Sequence, residues 1–404
     1  MIGVSASDIR FVFYLPNIAS YLDRVELIGH IADKVGRGVL VTSRIDFPLE
    51  TLRLGKLEVL EIPRGRRYPG RTAITASRVI DQLMATGEFN VVHDTFAHLS
   101  PLFLRRIRHR GVVFITSFYS IAEWDFRKRI RPAYGMLSVT HPNLRQYIKR
   151  SIMQRIVALL ADCVVVQAPE LIDRVKEYNK RAGNKLAWIP NNVVVSKKHS
   201  RMSKTVDDST IHLLWAAGGF DRTKGADELL TLLRRAMERG ISIHVSAVGA
   251  SSPFDSSLRP YFDDQYLGQR MQNEKLEGHI SFLNRISPEL MGEYYRDADW
   301  LFHMSHLDGS PRVALEALAR GLPVIGFRHP GLNVLDPQDS FILFSDPFDP
   351  DAVLDRMVSD KNNLLDYQRR STAGSRYAND NFSSDRVAER YVDLYMRLLS
   401  EQVD

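Results

Sequence analysis

The sequence has very little cysteine and no long apolar run. Cys163 is the one cysteine in 404 residues, which excludes an intramolecular disulfide framework and is typical of a reducing compartment. No stretch approaches the roughly 20 apolar residues that span a bilayer, and the longest candidate, residues 156–166, is interrupted by Asp162. The N-terminal residues lack a signal-peptide pattern. We therefore expect a cytoplasmic protein.

Acidic residues are scarce between residues 101 and 155, where Glu123 and Asp125 are the two acids. Trp124 and Phe126 lie beside the densest basic cluster of this segment. Such a surface attracts anionic lipid headgroups, an acidic glycan or nucleic acid, or is simply solvated. We favour an anionic membrane surface, on the inner face of the membrane, because no nucleic-acid-binding motif appears elsewhere. The bases are Arg105, Arg106, Arg108, Arg110, Arg127, Lys128, Arg129, Arg131, Arg145, Lys149, Arg150 and Arg155.

The length favours two domains, because 404 residues exceed what one hydrophobic core usually holds. Apolar strands alternate with amphipathic helices in both halves, which is the pattern of doubly wound parallel sheets. The polar segment 193–210 interrupts this pattern and is the predicted linker. We predict two Rossmann-like α/β domains over residues 1–195 and 196–384. The predicted strands are residues 10–16, 38–43, 57–62, 89–94, 112–117, 163–167, 185–190, 211–217, 243–248, 280–283, 300–304, 322–327 and 341–344, and the predicted helices include 23–34, 79–84, 142–161, 226–239, 288–297 and 385–399.

The stretch 300–327 has the clearest functional pattern, because a strand, a loop, a helix and a second strand follow one another without a gap. Ser310 is predicted to cap the helix, since its hydroxyl can accept from an unpaired backbone N–H. Pro311 suits the first helical position, where its missing N–H costs nothing. Gly321 suits a left-handed end of the helix.

The loop before this helix favours an anion beside hydroxyl groups. It leads into a helix N-terminus, whose N–H groups and dipole attract negative charge. Asp308 and Glu316 supply carboxylates that accept hydrogen bonds from sugar hydroxyls. A second turn, residues 216–225, carries glycines and Lys224 after a strand and is a plausible phosphate site. The alternative is an ordinary strand–loop–helix unit with an Arg312–Glu316 surface pair.

The segment from Asp308 to Ile325 resembles the acidic-x7-Glu signature of family-4 retaining glycosyltransferases, which usually have Glu at the position of Asp308. The turn 216–225 is similar to the family pattern Gly-Arg-x-x-x-x-Lys-Gly, with Lys224 at the Lys and Gly219 at the Arg. The resemblance implies a GT-B type fold, with two Rossmann-like domains facing a central cleft and a final helix, 385–404, that crosses back onto the first domain. It also implies a metal-independent, hexosyltransferase-like enzyme of polysaccharide biosynthesis.

The resemblance further implies a nucleotide-diphosphate sugar as donor, without another cofactor, and a glycan, lipid-linked or small-molecule acceptor. Glu316 would accept the ribose hydroxyls, Lys224 would hold the diphosphate, and Asp308 would hold the donor sugar. Asp349 and Asp351 have the spacing of a metal-binding pair but are more simply acids at a helix start, so we predict no metal site. The donor-binding residues are predicted to be Gly218, Gly219, Arg222, Gly249, Arg285, Gly309, Ser310, Pro311 and Arg312.

The first half departs from the family pattern. The loop 15–20 has no glycine, and the segment 115–119 has no histidine, where many members have both. Asn17, His93 and Ser117 are the acceptor-side candidates, although His93 at a strand end is more simply a core residue. Two other functions therefore stay open: a sugar-nucleotide epimerase on the same fold, and a sugar-nucleotide-binding protein without turnover.

Overall fold

The computed structural model describes residues 4–16, 22–43, 52, 54–63, 69–95, 99, 103–104, 111–119, 121–131, 144–178, 183, 185–194, 209–249, 264–306 and 308–403. The chain divides into two compact units. The first comprises residues 1–122, 146–194 and 381–404, and the second comprises residues 123–145 and 195–380. The predicted first domain instead runs without interruption from residue 1 to residue 195.

The first unit contains a parallel sheet of seven strands in the order β3-β2-β1-β4-β5-β6-β7. The order reverses between β1 and β4, which lie side by side. Strands β4 and β5 are buried along their whole length, as continuous apolar runs in a parallel sheet should be. The strands are β1 Arg10–Tyr14, β2 Arg37–Thr42, β3 Leu57–Glu61, β4 Val91–Thr95, β5 Val113–Phe118, β6 Cys163–Val166 and β7 Leu186–Trp188.

The C-terminal helix Ser384–Val403 belongs to the core of the first unit. Tyr391 and Tyr395 are buried in the same apolar cluster as the first strand and the first helix. Asp385 accepts an ion pair from Lys34 of the first helix at 2.8 Å. The α-helices of this part of the chain are Leu22–Lys34, Pro69–Ala85, Ala122–Asp125 with a π-helical turn Phe126–Ile130, Leu144–Leu160 and Pro169–Tyr178.

The second unit contains a parallel sheet of six strands in the order β10-β9-β8-β11-β12-β13, and the order reverses between β8 and β11. Its strands are β8 Ile211–Ala216, β9 Ile243–Val248, β10 Ile280–Phe282, β11 Trp300–His303, β12 Val324–Gly326 and β13 Ile342–Phe344. Its α-helices are Ala226–Glu238, Asp264–Asn273, Pro288–Asp297, Arg312–Ala319, Pro330–Leu335, Pro350–Asn362 and Leu364–Phe382. The prediction of two doubly wound parallel-sheet α/β domains is confirmed.

The predicted linker begins too early. Val193 is buried, donates its N–H to the carbonyl of Phe382 at 2.7 Å, and forms a parallel bridge with Ser383. Val193 therefore belongs to the packed first unit, while residues 195–208 lie outside the described residues. None of the described helices is long and apolar enough to cross a membrane.

Candidate functional site

The candidate site lies at the carboxyl edge of the second sheet. Strands β8 and β11 are paired in parallel at the point where the strand order reverses, with Leu301 opposite Leu214. Ligands of open α/β sheets bind at such switch points, because the two flanking loops diverge there. The loops after β8 and β11 are the two segments to which the sequence assigns phosphate and sugar binding.

The turn after β8 packs directly on the loop after β11. Gly225 has a left-handed φ of 86°. A Cβ atom there would lie 2.6 Å from the carbonyl oxygen of Met304, so both the backbone angle and the close approach require glycine. The N–H of His306 donates to the carbonyl of Thr223 at 3.2 Å. The two loops therefore form one framework that fixes the position of Lys224.

Lys224 and Asp308 are brought together by this framework. Lys224 Nζ lies 3.4 Å from Asp308 Oδ2, and the two side chains are 20% and 27% exposed. The N–H of Ser310 approaches the other carboxylate oxygen of Asp308 at 3.4 Å. The N–H of Gly331 donates to the Asp308 carbonyl at 3.1 Å. The sequence predicted both charged residues for one site, and the structure places them in contact with part of each side chain open to solvent.

The predicted start of the following helix is wrong by one to two residues. The helix is Arg312–Ala319, and Pro311 is its N-cap, with φ −72° and ψ 104°. Proline fixes φ but not ψ, and at this extended ψ Pro311 accepts the first helical hydrogen bond, from Leu315 N at 3.0 Å, without itself being helical. Ser310 therefore lies one position too early to cap the helix. The predicted left-handed end at Gly321 is confirmed, with φ 77°.

Glu316 is held in place by a residue that the sequence analysis missed. The hydroxyl of Tyr295, on helix Pro288–Asp297, donates to Glu316 Oε2 at 2.9 Å. Burial, and then the nearby Glu316 charge, raise the pKa of Tyr295 well above its ordinary value, so the phenol remains a donor. The Arg320 guanidinium lies 5.0 Å from the Tyr295 ring centroid and completes this support. Tyr295 lies at a helix position that looks apolar in the sequence, so the sequence did not indicate that it would hold Glu316.

His329 lies next to Asp308 of the preceding loop. It follows β12, is 4% exposed, and its Nδ1 accepts from Leu332 N at 3.4 Å as the N-cap of helix Pro330–Leu335. Burial lowers the pKa of His329 to about 4, and the nearby Lys224 charge adds to the shift while Asp308 opposes it. His329 is therefore neutral at neutral pH. A His-Pro pair after a strand was the available sequence signal.

Glu228 and His306 form a second unpredicted pair beside the same framework. His306 Nε2 lies 3.4 Å from Glu228 Oε1, and both side chains are mostly buried, at 20% and 15% exposure. The His306 ring stacks on Phe327 with centroids 5.2 Å apart. Burial raises the pKa of Glu228 to about 7. The pair therefore places a group that titrates near neutral pH one turn beyond Lys224.

Arg222, predicted to supply the charge missing at Gly219, is engaged within its own unit. Arg222 Nε donates to Asp227 Oδ2 at 2.6 Å, and the same carboxylate accepts from Arg270 at 2.8 Å. The Arg222 guanidinium also lies 5.1 Å from the Tyr266 ring centroid. Donor binding by Arg222 stays a prediction. A donor phosphate would have to compete with Asp227 for the Arg222 guanidinium.

The remaining donor-side candidates lie on loops of the same carboxyl edge. Gly218 is exposed and Gly219 is buried in the turn after β8. Gly249 follows β9 with φ 79°, and a Cβ there would lie 2.4 Å from the Ala217 carbonyl oxygen. Arg285 is exposed after β10. Gly309, Pro311 and Arg312 belong to the loop and helix start described above.

The two described acceptor-side candidates, His93 and Ser117, do not form a comparable surface. Asn17 lies outside the described residues. His93 and Ser117 are fully buried. His93 Nδ1 lies 2.8 Å from the Tyr395 hydroxyl, and its Nε2 lies 2.7 Å from Ser117 Oγ. Burial, reinforced by the Arg24 charge, lowers the pKa of His93 to about 3. The interpretation of His93 as a satisfied core residue is confirmed.

The structure shows which side chains of the basic segment 101–155 are buried, paired or exposed. Trp124 is only 9% exposed, because its ring is packed inside the protein, so it is not available to contact lipid headgroups. Arg127 donates an ion pair to Glu123 at 2.8 Å, while residues 105–110 lie outside the described residues. Helix Leu144–Leu160 instead exposes an apolar stripe. The stripe consists of Ile148 (53% exposed), Ile152 (54%), Ile156 (37%) and Leu159 (43%).

The acids Asp349 and Asp351 serve a helix start, as the sequence analysis favoured. Asp349 Oδ1 accepts from the N–H groups of Asp351 and Ala352 at 3.0 and 3.1 Å. Asp351 forms ion pairs with Arg235 and Arg239 at 2.8 and 3.2 Å. Within the described ranges, no group of three or more His, Cys, Asp or Glu side chains is arranged to hold a metal ion.

The chain resembles known proteins in sequence and in structure. The family model of glycosyl transferases group 1 matches residues 201–358, which include Lys224, Asp308 and Glu316. A Streptococcus pneumoniae protein named alpha-monoglucosyldiacylglycerol synthase is 22% identical over 337 residues, which cover 80% of this chain and 71% of that protein.

Two solved structures show the fold. Sucrose-phosphate synthase from Thermosynechococcus elongatus is 17% identical, with a TM-score of 0.72 over 97% of this chain and 100% of that chain. Anabaena HepE in complex with UDP and glucose is 12% identical, with a TM-score of 0.65 over 96% of this chain and 99% of that chain. The chain has the two-domain, Rossmann-like GT-B fold. The family match lies within the second unit, and the likeness to the solved structures shows the fold.

Proposed function

We propose that the protein is a retaining glycosyltransferase of the family-4 type, which moves a sugar from a nucleotide-diphosphate donor to an acceptor hydroxyl. The observation that carries the proposal is the contact between Lys224 and Asp308, 3.4 Å apart at the switch point of the second sheet. A cation, a carboxylate and a helix start at one sheet edge match the diphosphate and the hydroxyl groups of a sugar nucleotide.

Each charged side chain takes one part of the donor. Lys224 binds the diphosphate, which is more highly charged than Asp308 and therefore competes with it for the ammonium group. Asp308 then accepts hydrogen bonds from the sugar hydroxyls. Glu316, whose Oε2 accepts from the Tyr295 hydroxyl at 2.9 Å, accepts hydrogen bonds from the ribose hydroxyls.

The proposed transfer needs no covalent enzyme intermediate. The acceptor oxygen forms a bond to the anomeric carbon on the face from which the diphosphate leaves. The bond from that carbon to the phosphate oxygen breaks, and the acceptor proton passes to the leaving phosphate. Lys224 and the N-terminus of helix Arg312–Ala319 stabilise the charge that develops on the diphosphate, in place of a metal ion.

The proposed acceptor is lipid-linked and is met at an anionic membrane surface. One named relative acts, by its name, in making a glucosyl diacylglycerol. Helix Leu144–Leu160 contains no acidic residue. Its exposed bases Arg145, Lys149, Arg150 and Arg155 share the helix with the exposed apolar stripe. An apolar stripe beside basic side chains has the composition of an interfacial helix.

The donor site is tested by ligand-induced stabilisation. The nucleoside diphosphates UDP, GDP and ADP are screened for a rise in melting temperature, because a ligand stabilises the state that binds it. One of them should raise the melting temperature of the wild type, and Glu316→Gln should weaken that binding by about tenfold or more, as loss of a charge-assisted hydrogen bond predicts. Transfer from the matching nucleotide sugar should persist in a metal chelator. No response to any diphosphate would rule out the proposal.

The membrane part is tested separately with vesicles. The wild type should bind vesicles that contain phosphatidylglycerol and not neutral ones. Added salt should weaken this binding, because screening reduces the range of the electrostatic attraction. Ile148→Glu with Ile152→Glu should reduce binding. Leu365→Glu is the matched control, since Leu365 is 68% exposed on a helix of the second unit. Equal binding to neutral and anionic vesicles would contradict this part, and binding only to an acidic glycan would indicate a soluble acceptor.

A further inference from the structure

Arg24 is a buried arginine for which the described residues provide no counter-ion. It is the third residue of helix Leu22–Lys34 and is 3% exposed. Its guanidinium carbon lies 4.2 Å from the centroid of the Tyr119 ring. One terminal nitrogen, Nη1, is buried without a hydrogen-bond partner. Across the described parts of the chain, no carboxylate forms an ion pair with Arg24.

An arginine in this state is unusual, because guanidinium stays charged in proteins and a buried charge is normally paired. Stacking on the Tyr119 ring compensates part of the lost hydration but satisfies none of the N–H donors. The planar fork of those donors matches the oxygens of a phosphate or carboxylate. The unmet requirement is therefore an oxyanion.

The position of Arg24 in the fold is typical of a ligand site. Tyr119 directly follows β5, so the guanidinium lies at the carboxyl edge of the first sheet. The helix that carries Arg24 begins at this same edge and has 13 residues, so its first turn adds N–H groups and the positive end of its dipole. The Arg24 charge also helps to lower the pKa of the core residue His93, so the guanidinium acts on the polar groups at this edge.

We propose that Arg24 binds a phosphate group of the acceptor, so that the acceptor is a phosphate ester. The assignment to the acceptor rests on the proposed glycosyltransferase function. The phosphate belongs either to a phospholipid headgroup, in agreement with the proposed lipid-linked acceptor, or to a sugar phosphate, which would make the acceptor soluble. Both present the same oxyanion to the guanidinium.

The test uses the full chain with Lys224→Ala, so that the proposed diphosphate site is disabled. Glucose 6-phosphate and a short-chain, micelle-free phosphatidylglycerol are the two phosphate probes, and glucose is the uncharged control. At least one phosphate probe should raise the melting temperature of this protein, while glucose should not. Adding Arg24→Met should weaken that binding by roughly tenfold or more, because a charge-assisted, bidentate contact is lost. The probe that responds identifies the source of the phosphate.

Two further variants keep the test decisive. Arg24→Met should raise the melting temperature of the ligand-free protein, since an unpaired buried charge is replaced by an apolar chain. Arg24→Lys keeps the charge without the fork and should bind with intermediate affinity. Arg37→Met is the matched control, because Arg37 is half-exposed and already paired with Glu58 at 3.0 Å and Glu88 at 2.7 Å.

The result that overturns the inference is a ligand-free Arg24→Met protein that melts at a markedly lower temperature and still responds to phosphate, since Arg24 would then be structural. The absence of a response to both phosphate probes overturns it as well. In either case a normal response of the wild type to a nucleoside diphosphate leaves the proposed donor site intact, so the two failures are distinguishable.

Discussion

The carboxyl edges of the two sheets carry different kinds of polar residue. At the edge of the second sheet, Lys224 and Asp308 meet with about a quarter of each side chain exposed. At the edge of the first sheet, His93 and Ser117 have no exposure, and the ring nitrogens of His93 are both hydrogen-bonded inside the core. The architecture is shared, but the surroundings of the polar groups are opposite.

This difference separates residues that bind from residues that hold the fold. A charged pair that keeps some contact with water can exchange its partner for a ligand at low cost. A buried histidine that joins β4, β5 and the C-terminal helix cannot leave its partners without exposing unpaired hydroxyl groups. A position at the end of a parallel strand is thus not sufficient for a functional role. The polar group must also be open to solvent or lack a hydrogen-bond partner in the core, and His93 and Ser117 meet neither condition.

The largest expected effect is on stability, from His93→Ala. The change removes a ring that stacks on Phe13 at 4.3 Å and leaves the hydroxyls of Tyr395 and Ser117 without their partner. A cavity and unpaired hydroxyl groups should together cost about 3–5 kcal/mol. Thermal unfolding measures the loss, and nucleotide binding by the folded fraction should be unchanged. A loss of nucleotide affinity at full stability would break the comparison.

The next effect is on catalysis, from Lys224→Ala. The proposed function assigns the Lys224 charge to the leaving diphosphate, and removing one such preorganised charge should slow transfer by roughly 100- to 1,000-fold. The melting temperature of the ligand-free protein should change little, because the side chain is partly exposed on a turn. Initial rates at saturating donor measure the effect. Lys176→Ala is the control, since Lys176 lies on an exposed helix surface of the first unit. An equal loss of rate in this control would show that the effect of Lys224→Ala is not specific to the site.

The sequence predicted the second site because its residues lie in one local pattern. Asp308, Glu316 and Gly321 are set by a strand–loop–helix unit whose turn residues are visible in the sequence, and Lys224 follows a glycine turn of the adjacent strand. Their support was not predictable. Tyr295 and His329 come from other elements, and the fold brings Tyr295 to Glu316 and His329 to Asp308.

In the first sheet, the strands were predictable from the sequence but the burial of Arg24 was not. Its strands were predicted to within two residues, because buried parallel strands are continuous apolar runs. Nothing in the sequence distinguishes Arg24 from the other bases of an amphipathic helix, since burial without a counter-ion depends on Tyr119, 95 residues away in the chain. The capping error at Ser310 has a local cause, because the ψ angle of Pro311 is not fixed by its ring.

A pH-dependent effect of intermediate size is expected from Glu228. Its pKa, raised to about 7 from an ordinary value of 4.5, means that the folded protein retains a proton that the unfolded chain has lost between these values. This contribution to stability is fully present below pH 4.5 and is lost as the pH rises through 7, and it amounts to roughly 3 kcal/mol. A protonated His306 would oppose the shift.

Glu228→Gln cannot titrate, so the difference in melting temperature between wild type and variant should change by several degrees from pH 5 to pH 8, to the disadvantage of the wild type at the higher pH. Glu238→Gln is the matched control on the same helix. Hydrogen bonding to Arg235 lowers the pKa of Glu238, so its contribution to stability changes only at more acidic pH and should stay constant from pH 5 to pH 8. Parallel pH profiles of wild type and Glu228→Gln would contradict the raised pKa.

The smallest expected effect sharpens the distinction between binding and supporting residues within the second site. Tyr295→Phe removes the hydroxyl that donates to Glu316 Oε2 at 2.9 Å and leaves the buried ring in place. Loss of one orienting hydrogen bond, about 0.5–1.5 kcal/mol, should raise the KM for the donor by roughly two- to tenfold and change kcat less. Because Tyr295 acts only through Glu316, the change should have almost no further effect in a Glu316→Gln background. Tyr294→Phe, one residue earlier on the same helix, is the control and should leave the KM unchanged. Additive losses in the double variant would show that Tyr295 contributes to binding on its own, and the division between a carboxylate that binds ribose and a phenol that positions it would then be wrong.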